Sequence, residues 1–124
     1  MTQQGDRFLQ KAVNLGEVLI RVENDHELLS ELIGIFKKDF PPLLQLLQEA
    51  VAREDMENVE ARSHTLKGML SGLSVTKAAA TASRLEQMGR ERKTSGLADV
   101  LTILENEVAD LLPELGAYAE ESKP

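Results

Sequence analysis

Apolar residues recur at helical spacing along almost the whole chain, and this periodicity limits the possible folds more than any other feature of the sequence. The longest series comprises Leu28, Leu32, Phe36, Phe40, Leu43, Leu47, Ala50 and Val51. A second series comprises Leu101, Leu104, Val108, Leu111 and Leu112. No convincing stretch alternates between apolar and polar residues, as a half-buried strand would. The pattern therefore predicts an all-α protein.

Turn residues and capping aspartates divide this pattern into five predicted helices. The first is short, is built on Phe8, Leu9, Ala12, Val13, Val18 and Leu19, and is broken near Gly16. The second follows the N-cap Asp25 and ends near Glu54, and the third follows the N-cap Asp55 and covers roughly residues 56–73. The fourth begins at Ser74 or Thr76 and ends at about Glu91, and the fifth covers about Leu97 to Leu115.

Two adjacent prolines interrupt the second predicted helix. Phe40 precedes Pro41, and a residue before proline is disfavoured in the helical conformation. The apolar series nevertheless keeps its phase across Pro41 and Pro42. We therefore expect either one kinked long helix or two coaxial pieces.

Several amphipathic helices with short connections are typical of an up-down antiparallel four-helix bundle, here with a short extra N-terminal helix. We expect a single domain over residues 1–124, with an ordered core over about 8–116 and a polar C-terminal tail over 117–124. The acidic flanking segments favour a monomer.

The composition excludes several classes of partner and site. A net charge of −7 argues against nucleic acid and anionic membranes as partners. The absence of cysteine excludes disulfides and thiolate metal sites, and with two histidines and no HExxH pattern we expect no metal site. The N-terminus has no signal-peptide pattern and no apolar run reaches membrane length, so we expect a cytoplasmic protein.

The charge is distributed unevenly. Residues 62–93 carry seven basic and two acidic side chains, whereas the segments on either side are acidic. This clustering is either a chance feature of solvated helix faces or a positive docking patch for an acidic partner. His64 lies inside this segment.

His64 lies on the polar side of the third predicted helix. At about 100° per residue, the apolar residues Val59, Leu66, Leu70 and Leu73 form a stripe on the opposite side. His64 is therefore not a core histidine, and the choice lies between an idle surface residue and a functional one. A neutral imidazole is a nucleophile at neutral pH.

Neighbours one turn away favour the functional interpretation. Gly68 and Gly72 each cost about 1 kcal/mol in a helix interior, and Gly68 leaves the imidazole open to a partner. Lys67 brings a positive charge that would neutralise phosphoryl oxygens during transfer. These three residue types on one exposed face indicate a phosphoryl-accepting histidine.

At this point the sequence resembles a known family. His64-Thr65-Leu66-Lys67-Gly68 matches the H-x-L-K-G signature of histidine-containing phosphotransfer (HPt) domains. The resemblance extends to Asp55-Met56-Glu57 at the start of the histidine helix, to the Leu85-Glu86 pair, and to the long second helix over 25–47. Ser74 departs from the family pattern, which usually has glycine there, as do Met69 and Leu70, where the family favours small residues. Ser74 could instead be the N-cap of the fourth helix.

The resemblance implies a function in a two-component phosphorelay. His64 would accept a phosphoryl group from the aspartate of a receiver domain and pass it to another receiver, with Nε2 as the attachment atom. Lys67 would stabilise the phosphoryl oxygens and Gly68 would give access to the partner. The partners would be receiver domains of response regulators or of a hybrid histidine kinase, and Mg²⁺ would belong to the receiver. Residues with a possible docking or supporting role are Ala61, Ser71, Gly72, Lys77 and Arg84.

Two other functions remain open. The chain could be the phosphorylated N-terminal domain of a larger chemotaxis-type or hybrid histidine kinase, or it could be a helical adaptor that is never phosphorylated. An independent enzyme is not expected, since no residue set supports turnover. His26 is interpreted as a surface or capping residue, and no acid–base chemistry is assigned to the abundant carboxylates.

Overall fold

The computed structural model describes residues 15–121, and within that range the chain forms five α-helices and no strand. They are α1 Leu15–Arg21, α2 His26–Ala52, α3 Met56–Gly72, α4 Thr76–Glu91 and α5 Leu97–Glu121. Short turns make consecutive helices from α2 to α5 antiparallel, and α5 also packs against α2, which closes the bundle. The predicted four-helix bundle with a short N-terminal helix is confirmed. No helix of the described residues is long and apolar enough to cross a membrane.

Aspartates cap α2 and α3, as predicted. Asp25 Oδ1 accepts a hydrogen bond from the backbone N–H of Leu28 at 2.9 Å, and Asp55 Oδ1 accepts one from Asn58 at 3.3 Å. Each carboxylate satisfies a backbone donor that has no partner within its helix. The cap at Asp55 fixes where α3 begins, and with it the face on which His64 lies.

The prolines do not divide α2, which continues from His26 to Ala52 through Pro41 and Pro42. The alternative of two coaxial pieces is therefore wrong. Phe40 is fully buried, and its ring stacks on Phe36 with a centroid distance of 4.6 Å. This apolar packing offsets the backbone hydrogen bonds that two prolines cannot donate.

The buried face in the first half of α2 differs by one residue from the prediction. Leu29 and Ile33 are buried, whereas Leu28 is exposed and Leu32 is half-buried. Both pairs have the same four-residue spacing, so periodicity alone could not choose between them. From Phe36 onward, the predicted residues that are buried are Phe36, Phe40, Leu47, Ala50 and Val51.

Ser74 is not the N-cap of α4. That position is taken by Val75, which makes no side-chain cap bond. Ser74 instead has a φ of 57°, in the left-handed region that glycine adopts without strain. Its buried Oγ accepts a hydrogen bond from Arg21 Nη2 at 2.8 Å and donates one to Glu17 Oε1 at 3.3 Å. Arg21 Nη2 also donates to the Gly72 carbonyl at 2.9 Å, so α1 is tied to the end of α3.

The ends of the chain also differ from the prediction. α5 continues to Glu121, so the predicted end at Leu115 is too early and much of the expected polar tail is helical. Leu115 is fully buried, and the helix penalty of about 1 kcal/mol at Gly116 is too small to end a helix anchored that close. At the other end, α1 includes Gly16, and the described residues do not test the break that the sequence predicts near it. The apolar residues predicted at positions 8–13 lie outside the described residues.

Candidate functional site

His64 lies in the middle of α3, and its side chain is 68% exposed. The four residues of the predicted apolar stripe are all buried: Val59, Leu66, Leu70 and Leu73. Met56 and Ser63 are buried as well, and they extend the covered face of α3 to within about 80–100° of His64. The imidazole is therefore at the flank of the core, next to α4, and not diametrically opposite the core.

A buried carboxylate from α4 holds the imidazole. Glu86 is only 8% exposed, and its Oε2 lies 2.9 Å from His64 Nδ1. Since an ionised carboxylate can only accept hydrogen bonds, Nδ1 carries a proton and donates a hydrogen bond to Glu86 Oε2. The other ring nitrogen, Nε2, then keeps its lone pair. The geometry fixes both the tautomer and the orientation of the ring.

The same carboxylate binds Lys67. Lys67 Nζ donates to Glu86 Oε1 at 2.6 Å, and its side chain is 33% exposed. The Lys67 ammonium, with His64 as a further hydrogen-bond donor, holds the pKa of the Glu86 carboxyl below its usual value, although burial alone would raise that pKa. The site thus contains an ionised glutamate between a lysine and the candidate phosphoryl acceptor.

Arg90 contacts Glu86 as well, and it also contacts a second carboxylate. Its Nη2 donates to Glu86 Oε2 at 3.2 Å, and its Nε donates to Glu60 Oε2 at 3.0 Å. Glu60 lies one turn before His64 on α3, and Arg90 lies one turn after Glu86 on α4. The guanidinium therefore links the two helices beside the histidine.

Gly89 explains why α3 and α4 approach closely enough for these contacts. A Cβ atom at Gly89 would lie 2.6 Å from the backbone N of Glu60 and 2.9 Å from the carbonyl O of Met56. Real Cβ atoms essentially never come that close to another heavy atom, so only glycine fits here unless the backbone shifts. Glycine on α4 brings its backbone against α3 one turn from Glu86.

The predicted access glycines have a different environment. A Cβ at Gly68 or Gly72 would meet no atom within 4 Å, and both residues are exposed. Ala61 and Ser71 are exposed too. The face of α3 around His64 is therefore exposed, and the access role of Gly68 stays a prediction.

Lys77 and Arg84 are exposed but lie elsewhere on the bundle. At about 100° per residue they are roughly 160–180° from Glu86 around α4. The fold does not bring them to the imidazole, and their docking role stays a prediction. The face of α4 that lies beside His64 is the one that carries Glu86 and Arg90.

Sequence reasoning missed Glu86, Arg90 and Gly89 as parts of the site. The sequence analysis places Glu86 in the Leu-Glu pair and assigns no chemistry to any carboxylate. A usable signal is present: Gly89 and Arg90 follow Glu86 by three and four residues, so both lie beside Glu86 on one face of α4. His26 is exposed at the start of α2, as expected.

A comparison with protein-family models matches residues 31–117 to the model of the Hpt domain. The matched range covers most of α2, all of α3 and α4, and most of α5, which is well over half of the chain. The chain belongs to the Hpt domain family. Hpt domains act in histidine phosphotransfer within phosphorelays, work with receiver domains, and are phosphocarriers rather than enzymes. Searches among curated proteins and among solved structures gave no match.

Protonation of Glu86 at acidic pH should lower the free energy of unfolding of this Hpt domain. Because the pKa of Glu86 in the fold lies below its ordinary value of 4.5, the unfolded chain takes up the proton first as the pH falls. The stabilisation is complete above that ordinary value and is lost as the pH decreases through the lowered pKa. Urea denaturation at a series of acidic pH values should show this loss.

A Glu86→Gln variant should lose that part of the pH dependence. Glu31→Gln, at an exposed position on α2, is the matched control and should follow the wild type. If Glu86→Gln and the wild type lose stability in parallel with acid, the ionised carboxylate does not stabilise the fold.

Proposed function

We propose that this Hpt domain is the carrier of a phosphorelay in which His64 Nε2 accepts a phosphoryl group from a receiver aspartate and passes it to a second receiver. The observation that supports this best is the hydrogen bond from Nδ1 to Glu86 on a ring that is 68% exposed. It directs the one available lone pair, on Nε2, to the open side of the molecule. A nucleophile in that state needs no general base.

In the proposed step, the Nε2 lone pair attacks the phosphorus of the receiver's acyl phosphate. An N–P bond forms, the P–O bond to the aspartate breaks, and the aspartate leaves as a carboxylate with the electron pair of that bond. The ring becomes positively charged while Nδ1 keeps its proton. The carboxylate of Glu86 lies 2.9 Å from that nitrogen and stabilises the developing charge. The reverse step loads the second receiver.

Lys67 is proposed to contact the phosphoryl oxygens. It lies about 60° from His64 around α3 and one turn along, with a side chain long enough to reach either Glu86 or a group on Nε2. Gly68 leaves room for the receiver to approach. The receiver is proposed to supply its own Mg²⁺ and acidic pocket.

The test is incubation of the protein with a receiver domain carrying labelled phosphoryl. Label should appear on the protein in an acid-labile form, as expected for a phosphoramidate. NMR of the imidazole nitrogens should then locate the phosphoryl group on Nε2 of His64. Label on Nδ1, or on a residue other than His64, would contradict the proposal.

The same site could serve an Hpt domain that belongs to a larger histidine kinase. The phosphoryl donor would then be ATP bound to a kinase domain, and the chemistry at Nε2 would be unchanged. Parallel assays with a phosphorylated receiver and with a kinase domain plus ATP separate the two assignments. Faster loading from the receiver supports the relay carrier.

A further inference from the structure

Arg90 contacts one carboxylate on each of the two helices that form the site. It lies on α4, half-exposed, and holds Glu86 Oε2 at 3.2 Å and Glu60 Oε2 at 3.0 Å. Lys67 lies on the same helix as His64 and holds the other oxygen of Glu86 at 2.6 Å. The titratable and charged groups that contact Glu86 are thus His64 and Lys67 from α3 and Arg90 from α4.

Lys67 has two anionic partners in the proposed function. In the structure its ammonium is bound to Glu86, and in the proposed function it contacts the phosphoryl oxygens. A phosphoryl group carries a charge between about −1.5 and −2 at neutral pH, against −1 for the carboxylate. On charge alone the phosphoryl group attracts the Lys67 ammonium more strongly than Glu86 does, and a turn of Lys67 toward that group would remove the shortest ion pair of Glu86.

We propose that Arg90 is a positioning residue that takes over as the counter-charge of Glu86 when Lys67 moves to the phosphoryl group. This rests on the proposed function. Arg90 shares Oε2 with His64 Nδ1, so it holds the very oxygen that orients the ring. Its second bond, to Glu60 on α3, keeps the guanidinium in place after Lys67 has left.

The proposal predicts that Arg90 matters most in the phosphorylated state. In the unphosphorylated protein, Lys67 still holds Glu86, and loss of Arg90 has little effect on the ring. In the phosphorylated protein, loss of Arg90 leaves a buried carboxylate that only His64 contacts. The Nδ1–H bond should then weaken, and its proton should exchange faster with solvent.

Arg90→Gln is the test variant, Arg90→Lys the conservative one, and Arg53→Gln the control for charge loss at an exposed arginine outside the site. Two quantities are measured: the transfer rate from a phosphorylated receiver, and the NMR signals of His64 Nδ1–H before and after phosphorylation. Arg90→Gln should slow transfer about threefold to fivefold, as for a partly exposed ion pair. It should change the Nδ1–H signal chiefly in the phosphorylated protein. Arg90→Lys should restore most of the rate.

A double-mutant cycle with Glu86→Gln shows whether Arg90 acts through Glu86. In that background, Arg90→Gln should have no further effect on the ring signals. The inference is wrong if Arg90→Gln matches Arg53→Gln in both rate and phosphorylated-state spectrum, or if its effect persists without Glu86. If the wild type takes up no label on His64, the proposed function itself fails and the inference with it.

Discussion

Replacement of His64 by glutamine is expected to abolish phosphoryl uptake from a phosphorylated receiver. Glutamine has a similar reach and can still hydrogen-bond to Glu86, so the fold and the α3–α4 contact should persist. Its amide nitrogen has no lone pair available for attack on phosphorus, in contrast to Nε2 of the imidazole. The measurement is label on the protein after electrophoresis, and it should fall to background.

His26→Gln is the matched control, because the chain has two histidines and His26 is exposed at the start of α2. This variant should take up label at the wild-type rate. Equal labelling of His64→Gln would place the phosphoryl group on another residue. Unchanged partner binding and signalling by His64→Gln would favour an adaptor that is not phosphorylated.

Alanine at Gly89 is expected to lower the free energy of unfolding by about 3 kcal/mol, at the upper end of typical overpacking costs. The new Cβ would lie 2.6 Å from the backbone N of Glu60 and 2.9 Å from the carbonyl O of Met56. Backbone atoms cannot rotate away as a side chain can, so α3 and α4 must separate. A loss of that size is large against the roughly 5–15 kcal/mol that stabilises a typical domain, and urea denaturation will measure it.

Gly34→Ala is the control for the same substitution in an exposed helix interior. Its Cβ would meet nothing within 4 Å, so the variant should gain up to about 1 kcal/mol from helix propensity. Separation of α3 and α4 in Gly89→Ala should also lengthen the contact between Glu86 and His64, so transfer should slow in this variant alone. Equal gains in stability for both variants would show that the close approach at Gly89 is not required.

The parts of the site within α3 could be predicted because they depend on one helix. Asp55 sets the start of α3, and the angle per residue then places His64, Lys67 and Gly68 on one exposed face. Glu86 is 22 residues from His64 and on another helix, so its contact depends on the distance and register between α3 and α4. Gly89 sets that distance, and the local pattern places Gly89 on the face of Glu86 and Arg90 without showing which helix that face meets.

The errors in the fold have a similar origin. Pro41 and Pro42 carry a local penalty that favours a break, but burial and stacking of Phe40 on Phe36 keep α2 continuous. Serine is a residue type that favours the N-cap position, yet the Oγ of Ser74 accepts a hydrogen bond from Arg21, which is distant in the sequence. In each case a tertiary contact outweighs a local conformational preference that is visible in the sequence.

The hydrogen bond from His64 Nδ1 to Glu86 also has a consequence for proton uptake and release by the imidazole during the proposed transfer. In the proposed step, the proton on the nitrogen that faces Glu86 stays in place when a phosphoryl group occupies Nε2. Loading and unloading of the proposed carrier therefore neither consume nor release a proton at the imidazole. The direction of flow between two receivers then follows from their own phosphoryl-transfer potentials, with the carrier as a reversible intermediate.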